Sequence, residues 1–274
     1  MENETPQSKP GFSHWGLAGG AVLMLALLLR LSMSGGAATD EAKPAGDGER
    51  GERIGGGDQV LVEAGEFIVG CRESIDVGCA ASEKAARPLT LPSFSIDRTE
   101  VTVAAYRACV EAGVCSEPDS GGACNYAMAD RERHPVNCVD WNQSEAYCAW
   151  RGDRLPTEWE WERAARGTRG DRFPWGDASV DCSRAVIDDG SGNACGKGDG
   201  TFEVGSKPDG ASSEGALDLI GNVWEWTSST PEGSSSRIVR GGAYYVESNQ
   251  LRASLGIPFA PNGRADYVGF RCAR

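Results

Sequence analysis

The cysteines constrain this chain more than any other feature. The sequence contains ten, and all of them lie between Cys71 and Cys272, behind an apolar N-terminal segment of the kind that directs export. An even number of cysteines behind such a segment indicates disulfides formed in an oxidising compartment. We therefore expect one disulfide-stapled domain that lies outside the cytoplasm.

Zinc is the alternative use for so many thiols. A structural zinc site takes thiolate and imidazole ligands, usually in closely spaced C-x-x-C pairs. The chain has no C-x-x-C, and His134 is the only histidine downstream of the N-terminal segment. The sequence favours disulfides over zinc.

The N-terminal segment is either a signal anchor or a signal peptide. Its apolar run, residues 15–29, is shorter than the roughly 20 residues of a spanning helix, and the small residues 36–38 could form a cleavage site. We assign residues 1–34 to this region and residues 35–57, rich in Gly, Ala and charge, to a disordered linker. The expected location is extracytoplasmic, with the membrane reached through this single segment, or secreted if it is cleaved.

Charge and composition narrow the possible partners. The net charge is −13, with 40 acidic against 27 basic residues, and this acidity disfavours a nucleic-acid partner. It makes calcium binding easier. Hydrophobic residues form 40% of the chain, enough for a sizeable core.

Hydrophobic patterning predicts an α+β domain over residues 58–274, with helices early and irregular structure late. Thr102 is a candidate helix cap, as is Thr157 within Thr-Glu-Trp-Glu. The predicted strands are residues 59–69, 94–101, 223–227, 237–245 and 268–272, and the predicted helices follow Thr102, begin near Asn142 and follow Pro156.

Seven motifs then appear in a fixed order. They are FSIDRTEVT from Phe94, PVNCVDW from Pro135, RLPTEWEWE from Arg154, FPWG from Phe173, GNVWEW from Gly221, RGGA from Arg240 and GFRC from Gly269. Together they resemble the formylglycine-generating enzyme, or sulfatase-modifying-factor, superfamily over nearly all of residues 58–274. The resemblance implies a loop-rich, disulfide-stapled variant of the C-type-lectin fold.

The tryptophans of these motifs predict packing more than ligand binding. An indole offers a large apolar surface with one donor, so we expect core packing for six tryptophans, Trp150, Trp159, Trp161, Trp175, Trp224 and Trp226. Arg154, Glu158 and Glu162 are expected in a structural ion-pair network around a helix start, and His134 in a hydrogen-bonded structural role.

The family's catalytic signature is missing from the sequence. The best-known family activity oxidises a substrate cysteine to formylglycine with oxygen and copper(I), which two soft thiolates hold. Carried over by motif, the family serine falls on Ala243 and the two cysteines on Val246 and Leu251. Neither Val nor Leu can ligate a metal, so we expect no copper and lean towards a protein that is not an enzyme. Another family branch uses iron, and two histidines, His14 and His134, cannot supply a three-histidine iron site.

The resemblance also implies the disulfide pairing. Cys148 and Cys272 match a pair that the active enzymes join. Spacing then pairs the other cysteines locally, as Cys71–Cys79, Cys109–Cys115, Cys124–Cys138 and Cys182–Cys195, which leaves no odd thiol.

A calcium site of the family is retained. The resemblance implies that Asp218 and Glu225 supply carboxylates while Gly221 and Val223 supply backbone carbonyls, the hard oxygen ligands that calcium prefers. The alternative is structural, with Asp218 capping a turn and Glu225 paired on a strand. A second family site falls near residues 183–200, where Asp188, Asp189 and Asp199 are loose candidates.

Three functional hypotheses follow. The first is a non-catalytic, calcium-stabilised module, exported and membrane-anchored, that displays residues 188–200 and 246–263 to a protein or glycan ligand. The second is an oxidoreductase of the formylglycine-generating type acting on protein cysteine, or another activity in the same cleft. The third is a structural accessory of an envelope complex.

Overall fold

Eight short strands and four helices form the regular structure of the residues described by the computed structural model, which are 58–76, 78–79, 83–198 and 200–274. The N-terminal region (residues 1–34) and the linker (residues 35–57) lie outside these ranges. The strands are β1 (Gln59–Val62), β2 (Gly65–Val69), β3 (Arg87–Leu91), β4 (Phe94–Asp97), β5 (Trp224–Trp226), β6 (Arg237–Arg240), β7 (Gly256–Phe259) and β8 (Val268–Gly269). The helices are α1 (Glu73–Asp76), α2 (Val103–Glu111), α3 (Trp141–Trp150) and α4 (Glu158–Arg166). The α+β class is confirmed.

The strands form three small sheets. Strand β1 pairs antiparallel with β4 and β2 pairs antiparallel with β3, while the third sheet has the order β7-β6-β5-β8 with β5 and β8 parallel. The strand expected at residues 59–69 is therefore two strands, because its two halves pair with different partners. The strand expected at residues 237–245 ends at Arg240, because Gly241 and Gly242 follow with φ of 103° and 83°.

Helix starts follow the sequence signals closely. The Thr102 side chain accepts a hydrogen bond from the Ala105 N–H at 3.2 Å and caps α2. Thr157 and Glu160 form the capping box that starts α4, since each side chain accepts a hydrogen bond from the other residue's N–H. These caps confirm the predicted positions of two helices.

All five expected disulfides are present, and they account for each of the ten cysteines in the sequence. Cys148–Cys272 joins α3 to the C-terminal segment across 124 residues. The other four close loops with sequence separations of 6 to 14 residues. This many disulfides indicates an oxidising, extracytoplasmic environment. Within the described ranges, no helix is long and apolar enough to cross a membrane.

One large core holds the sheets and helices together. Trp161 and Trp226 are fully buried in it, and Trp224 is buried as well, as expected. Trp159 differs, because it is only half-buried and lines a surface pocket. Trp150 and Trp175 are also only half-buried and pack against the edge of the core. His134 has its predicted structural role, with Nδ1 2.9 Å from Thr201 Oγ1 and 3.0 Å from an Arg131 nitrogen.

Candidate functional site

Three carboxylates and one guanidinium lie buried together behind the motif GNVWEW. Strand β5 supplies Glu225, the loop before it supplies Asp218 at φ 58°, and the segments next to α2 and β8 supply Glu100 and Arg271. Each is buried, and Glu225 and Arg271 are completely so. We call these four residues the carboxylate cluster.

Within the carboxylate cluster, Glu225 is held by strong donors. Arg271 donates from Nε to Glu225 Oε2 at 2.6 Å and from Nη2 to Oε1 at 2.7 Å. Trp161 Nε1 also donates to Oε2, at 2.7 Å. Such a bidentate, charge-assisted pair is strong. Glu225 is thus paired on its strand, in the manner of the structural alternative to calcium binding.

Among the described residues, no lysine or arginine side chain donates a hydrogen bond to either of the other two carboxylates. Asp218 Oδ2 accepts from the Gly205 N–H at 2.6 Å, and Glu100 Oε1 accepts from Asn222 Nδ2 at 2.9 Å. Glu100 Oε2 is buried and accepts no hydrogen bond from a donor of the described residues. The charges of Glu100 and Asp218 are therefore only partly compensated.

The electrostatics of the carboxylate cluster reflect that shortage. Burial raises the pKa of Glu100 well above its ordinary value, and the charges of Asp218 and Glu225 raise it further. Burial likewise raises the pKa of Asp218 and of Glu225, against the opposing effect of Arg271. Three carboxylates around one guanidinium are more negative charge than a buried site holds without a proton or a cation.

These residues fit a calcium ion in part. Calcium takes six to eight oxygen ligands in flexible geometry, and Asp218 and Glu100 offer carboxylate oxygens that accept no hydrogen bond from a lysine or arginine of the described residues. Glu225 fits less well, since Arg271 and Trp161 already hold its carboxylate. Among the described residues no three Asp, Glu, His or Cys side chains converge on one point, so a calcium ion here would depend on backbone carbonyls such as those of Gly221 and Val223. Glu100 was not among the predicted calcium ligands, although it belongs to the motif FSIDRTEVT.

The candidates for a second calcium site are engaged in turns. Asp188 Oδ1 accepts from the N–H groups of Gly190 and Gly192, and Asp189 Oδ1 accepts from that of Ser191. Asp199 lies outside the described residues. The structure brings Asp188 and Asp189 together in one exposed loop.

The positions of the family's copper ligands are packed with hydrocarbon. Ala243, Val246 and Leu251 are all buried. A Cβ built on Gly242 would lie 2.2 Å from Leu251 Cδ2, so the leucine side chain fills the space above the glycine. Every cysteine of the chain is in a disulfide, and none is close at hand as a thiolate.

An open cleft of about 560 Å³ lies next to these positions. Its lining includes Tyr244 and Tyr245 from the segment after RGGA, together with Arg131 and Asp266. Tyr245 is 47% exposed, and its ring lies 5.7 Å from that of Tyr244 and 5.1 Å from that of Tyr267. We call this the tyrosine cleft; the predicted display segment, residues 246–263, begins just beyond these tyrosines.

Asn222 connects the tyrosine cleft to the carboxylate cluster. Its carbonyl accepts a hydrogen bond from the Tyr244 N–H at 3.0 Å, while its side chain donates to Glu100. The two segments expected to display a ligand surface also meet here, since the Asp188 N–H donates to the Val246 carbonyl at 3.2 Å. Strand β7 makes residues 246–263 less loop-like than expected.

Several known proteins are similar to this chain in sequence. The inactive C-alpha-formylglycine-generating enzyme 2 of Mus musculus is 40% identical over 151 residues, 51% of this chain and 48% of that protein. The hercynine oxygenase of Mycolicibacterium smegmatis is 32% identical over 269 residues, 79% of this chain and 61% of that protein. This chain thus spans only part of the length of both relatives.

A solved structure and a family model extend the comparison. The structure of PvdO from Pseudomonas aeruginosa superposes with a TM-score of 0.68 at 25% identity, covering 80% of this chain and 95% of that one. The sequence model of the sulfatase-modifying factor enzyme 1-like domain matches residues 45–274. The chain therefore belongs to the sulfatase-modifying factor enzyme 1-like family, as the order of its motifs predicted.

Proposed function

We propose that this protein is a non-catalytic member of its family that binds a protein or glycan ligand in the tyrosine cleft, with calcium held at the carboxylate cluster. The observation that carries the proposal is the buried hydrocarbon of Val246 and Leu251 where the family oxidases resembled by this chain hold copper. Copper(I) requires soft ligands, and valine and leucine offer none.

The tyrosine cleft supports the binding half of the proposal. Tyrosine combines a large apolar ring with a polar hydroxyl, and aromatic side chains are enriched where proteins bind their partners. Tyr245 presents such a ring to solvent, while Arg131 and Asp266 add one charge of each sign to the cleft lining. This mixed surface suits a polar ligand such as a peptide or a glycan.

Calcium has a structural part in the proposal. It would compensate the negative charges of Glu100 and Asp218. Gly221 and Val223 would contribute carbonyl oxygens, and Glu225 would contribute only the lone pairs of its carboxylate that do not accept from Arg271. Because Asn222 joins Glu100 to Tyr244, filling the carboxylate cluster would also hold one wall of the tyrosine cleft in place.

The proposal also includes export and tethering. The apolar run at residues 15–29 supports an N-terminal membrane anchor, and the disulfides support an oxidising compartment on the far side of that membrane. Cell fractionation followed by protease treatment of intact cells tests both points, since a tethered, exported domain stays with the membranes and is cleaved from outside.

A ligand screen tests the binding site directly. Labelled protein is applied to glycan and peptide arrays in calcium and in chelator, alongside the variant Tyr245→Ala and the control Leu61→Ala, which removes an exposed apolar side chain of β1. We expect Tyr245→Ala to lose the calcium-dependent spots that the wild type and Leu61→Ala both keep. Equal spot patterns for all three proteins would contradict the assignment of the cleft.

Thermal unfolding tests calcium separately. A ligand that binds the native state raises its stability in proportion to the logarithm of ligand concentration. The melting temperature should rise with calcium in the wild type and in the control Glu66→Gln, an exposed residue of β2, but not in Asp218→Asn. A melting temperature that calcium leaves unchanged in the wild type would remove calcium from the proposal.

An enzymatic role is the competing proposal, and the similarity to a hercynine oxygenase supports it. Thiol titration of the unreduced, denatured protein should give essentially no free thiol. Oxidation of a Cys-x-Pro-x-Arg peptide in the presence of copper and oxygen would overturn the non-catalytic assignment.

A further inference from the structure

A second pocket, of about 360 Å³, opens between α4 and the β6–β7 edge and shares no lining residue with the tyrosine cleft. Helix α4 contributes Glu158, Trp159 and Glu162 to its walls, and Arg240 of β6 lies across from them. Lys84 reaches in from the segment before β3. We call this the Trp159 pocket.

Lys84 places an ammonium group between an aromatic ring and a carboxylate. Its Nζ lies 4.3 Å from the centroid of the Trp159 ring and 3.2 Å from Glu158 Oε1. An ammonium group over an indole face is a favourable cation–π arrangement. The Trp159 pocket therefore already has the chemistry of an ammonium-binding site, and the chain's own lysine occupies it.

The buried charges behind Lys84 explain why a cation is needed at this point. A chain of ion pairs connects three carboxylates through two guanidinium groups, and its members are at most slightly exposed. Its contacts are Asp76–Arg166 at 2.9 Å, Arg166–Glu162 at 2.9 Å, Glu162–Arg240 at 3.0 Å and Arg240–Glu158 at 2.9 Å. Three negative charges against two positive ones leave one negative charge in excess, and Lys84 compensates it through its ion pair with Glu158.

Lys84 is the one member of this arrangement that can leave at little cost. Its side chain is 61% exposed, whereas the side chains of Glu158 and Arg240 are 11% and 3% exposed. An ion pair with so exposed a partner contributes little to stability, because water and salt screen it. The excess charge of Glu158 would then face the pocket.

The back wall of the Trp159 pocket also has features that suit a bound ligand. A Cβ at Gly256 would lie 2.9 Å from Ile238 Cγ2 and 3.2 Å from Arg240 Nε, so the glycine keeps this wall open. Arg240 Nε is buried and has no hydrogen-bond partner among the described residues. It leaves a donor for an oxygen atom of a ligand, such as an amide carbonyl.

We propose that the Trp159 pocket binds the ammonium group of an external ligand, either a small amine or a lysine side chain of another protein, in place of Lys84. The ligand's ammonium would take the position between Glu158 and Trp159 and compensate the same excess charge. An anionic ligand is disfavoured, because the exposed Glu232 lines the pocket in addition to Glu158 and Glu162.

Titration of the full chain with Nα-acetyl-lysine methylamide tests the proposal, followed by calorimetry or NMR. In wild-type protein Lys84 competes for the same position, and because its exposed contacts are weak, its removal in Lys84→Met should tighten binding by about threefold to tenfold. The matched control is Lys197→Met, which removes a lysine that lies over Phe202 outside the pocket and should leave the affinity at the wild-type value.

Two further variants test whether Glu158 and Trp159 themselves bind the ammonium group. Adding Glu158→Gln or Trp159→Leu to Lys84→Met should abolish the gain in affinity, with circular dichroism confirming that each variant is folded. Tyr245→Ala should bind the amine as tightly as the wild type does. Amine binding in the Trp159 pocket is therefore tested separately from ligand binding in the tyrosine cleft.

The neutral Nε-acetylated analogue provides the refutation. If it binds Lys84→Met as tightly as the amine does, or if Lys84→Met binds no more tightly than the wild type, no ammonium site exists here. A lysine-containing peptide that binds much more tightly than the single amino acid identifies a protein partner, whereas equal affinities identify a small amine, and either result supports the site.

Discussion

The long disulfide should contribute far more to stability than any of the short ones. Cys148–Cys272 joins residues 124 positions apart, whereas Cys109–Cys115 joins residues six apart. Both bonds are buried, and each has one cysteine on a helix, Cys148 on α3 and Cys109 on α2. Replacing each pair by alanines therefore compares loop length in otherwise similar surroundings.

The expected magnitudes come from loop closure in the unfolded chain. The chain-entropy relation gives about 5 kcal/mol for the Cys148–Cys272 loop and about 2 kcal/mol for the Cys109–Cys115 loop. The Cys182–Cys195 bond lies inside the long loop and shortens it by only 13 residues, which changes the logarithm very little. The double variant Cys148→Ala/Cys272→Ala should thus lose about 3 kcal/mol more than Cys109→Ala/Cys115→Ala.

Urea unfolding under non-reducing conditions measures the difference. The free energy of unfolding and its denaturant slope are obtained for the wild type and both double variants, and mass spectrometry confirms that the four remaining disulfides are intact. Equal losses from the two variants would refute the reasoning, because they would show that local packing around the sulfur atoms, and not loop closure, accounts for the stabilisation.

Three further predictions concern single residues. Burial opposes ionisation of Glu160, yet hydrogen bonds from Arg154 and Thr157 outweigh burial and lower its pKa. The stability that Glu160 adds over Glu160→Gln should therefore be present above the unfolded pKa of about 4.3 and be lost as pH falls through the lower folded pKa. A difference in unfolding free energy that does not depend on pH would contradict this. Arg271→Met leaves the buried Glu225 carboxylate without its partner and should cost about 3 to 5 kcal/mol in urea unfolding; a loss below about 1 kcal/mol would show that the carboxylate is protonated or otherwise compensated. Gly242→Ala places a methyl group 2.2 Å from Leu251 Cδ2 at φ 83° and should cost about 1 to 3 kcal/mol; Leu251→Ala should relieve part of that cost, and a purely additive double variant would exclude the clash.

Local signals in the sequence were enough for the starts of α2 and α4, and spacing was enough for the four short disulfides once the family resemblance had assigned Cys148 and Cys272. The missing copper ligands needed the family motif, because only that motif identifies the positions of Val246 and Leu251. The caps of α2 and α4 involve residues three positions apart, so their partners can be read within one turn of chain. The short disulfides likewise close loops of 6 to 14 residues. Cys148–Cys272 needed the family resemblance, because nothing local connects residues so far apart.

Only the tertiary structure decided the partners of the buried charges. Glu225 could be assigned to calcium or to a strand pairing from sequence, and it is the return of the C-terminal segment beside β5 that brings Arg271 within 2.6 Å of it. Glu100 meets Asp218 because the loop before β5 packs beside the segment after β4, where the Leu217 N–H donates to the Arg98 carbonyl at 2.6 Å. Trp159 faces a pocket because its position on α4 points away from the core that buries Trp161. From the sequence alone one can predict that a buried charge or indole needs a partner. Which partner it meets depends on how segments distant in the chain pack, because electrostatic and packing energies act through space and not along the sequence.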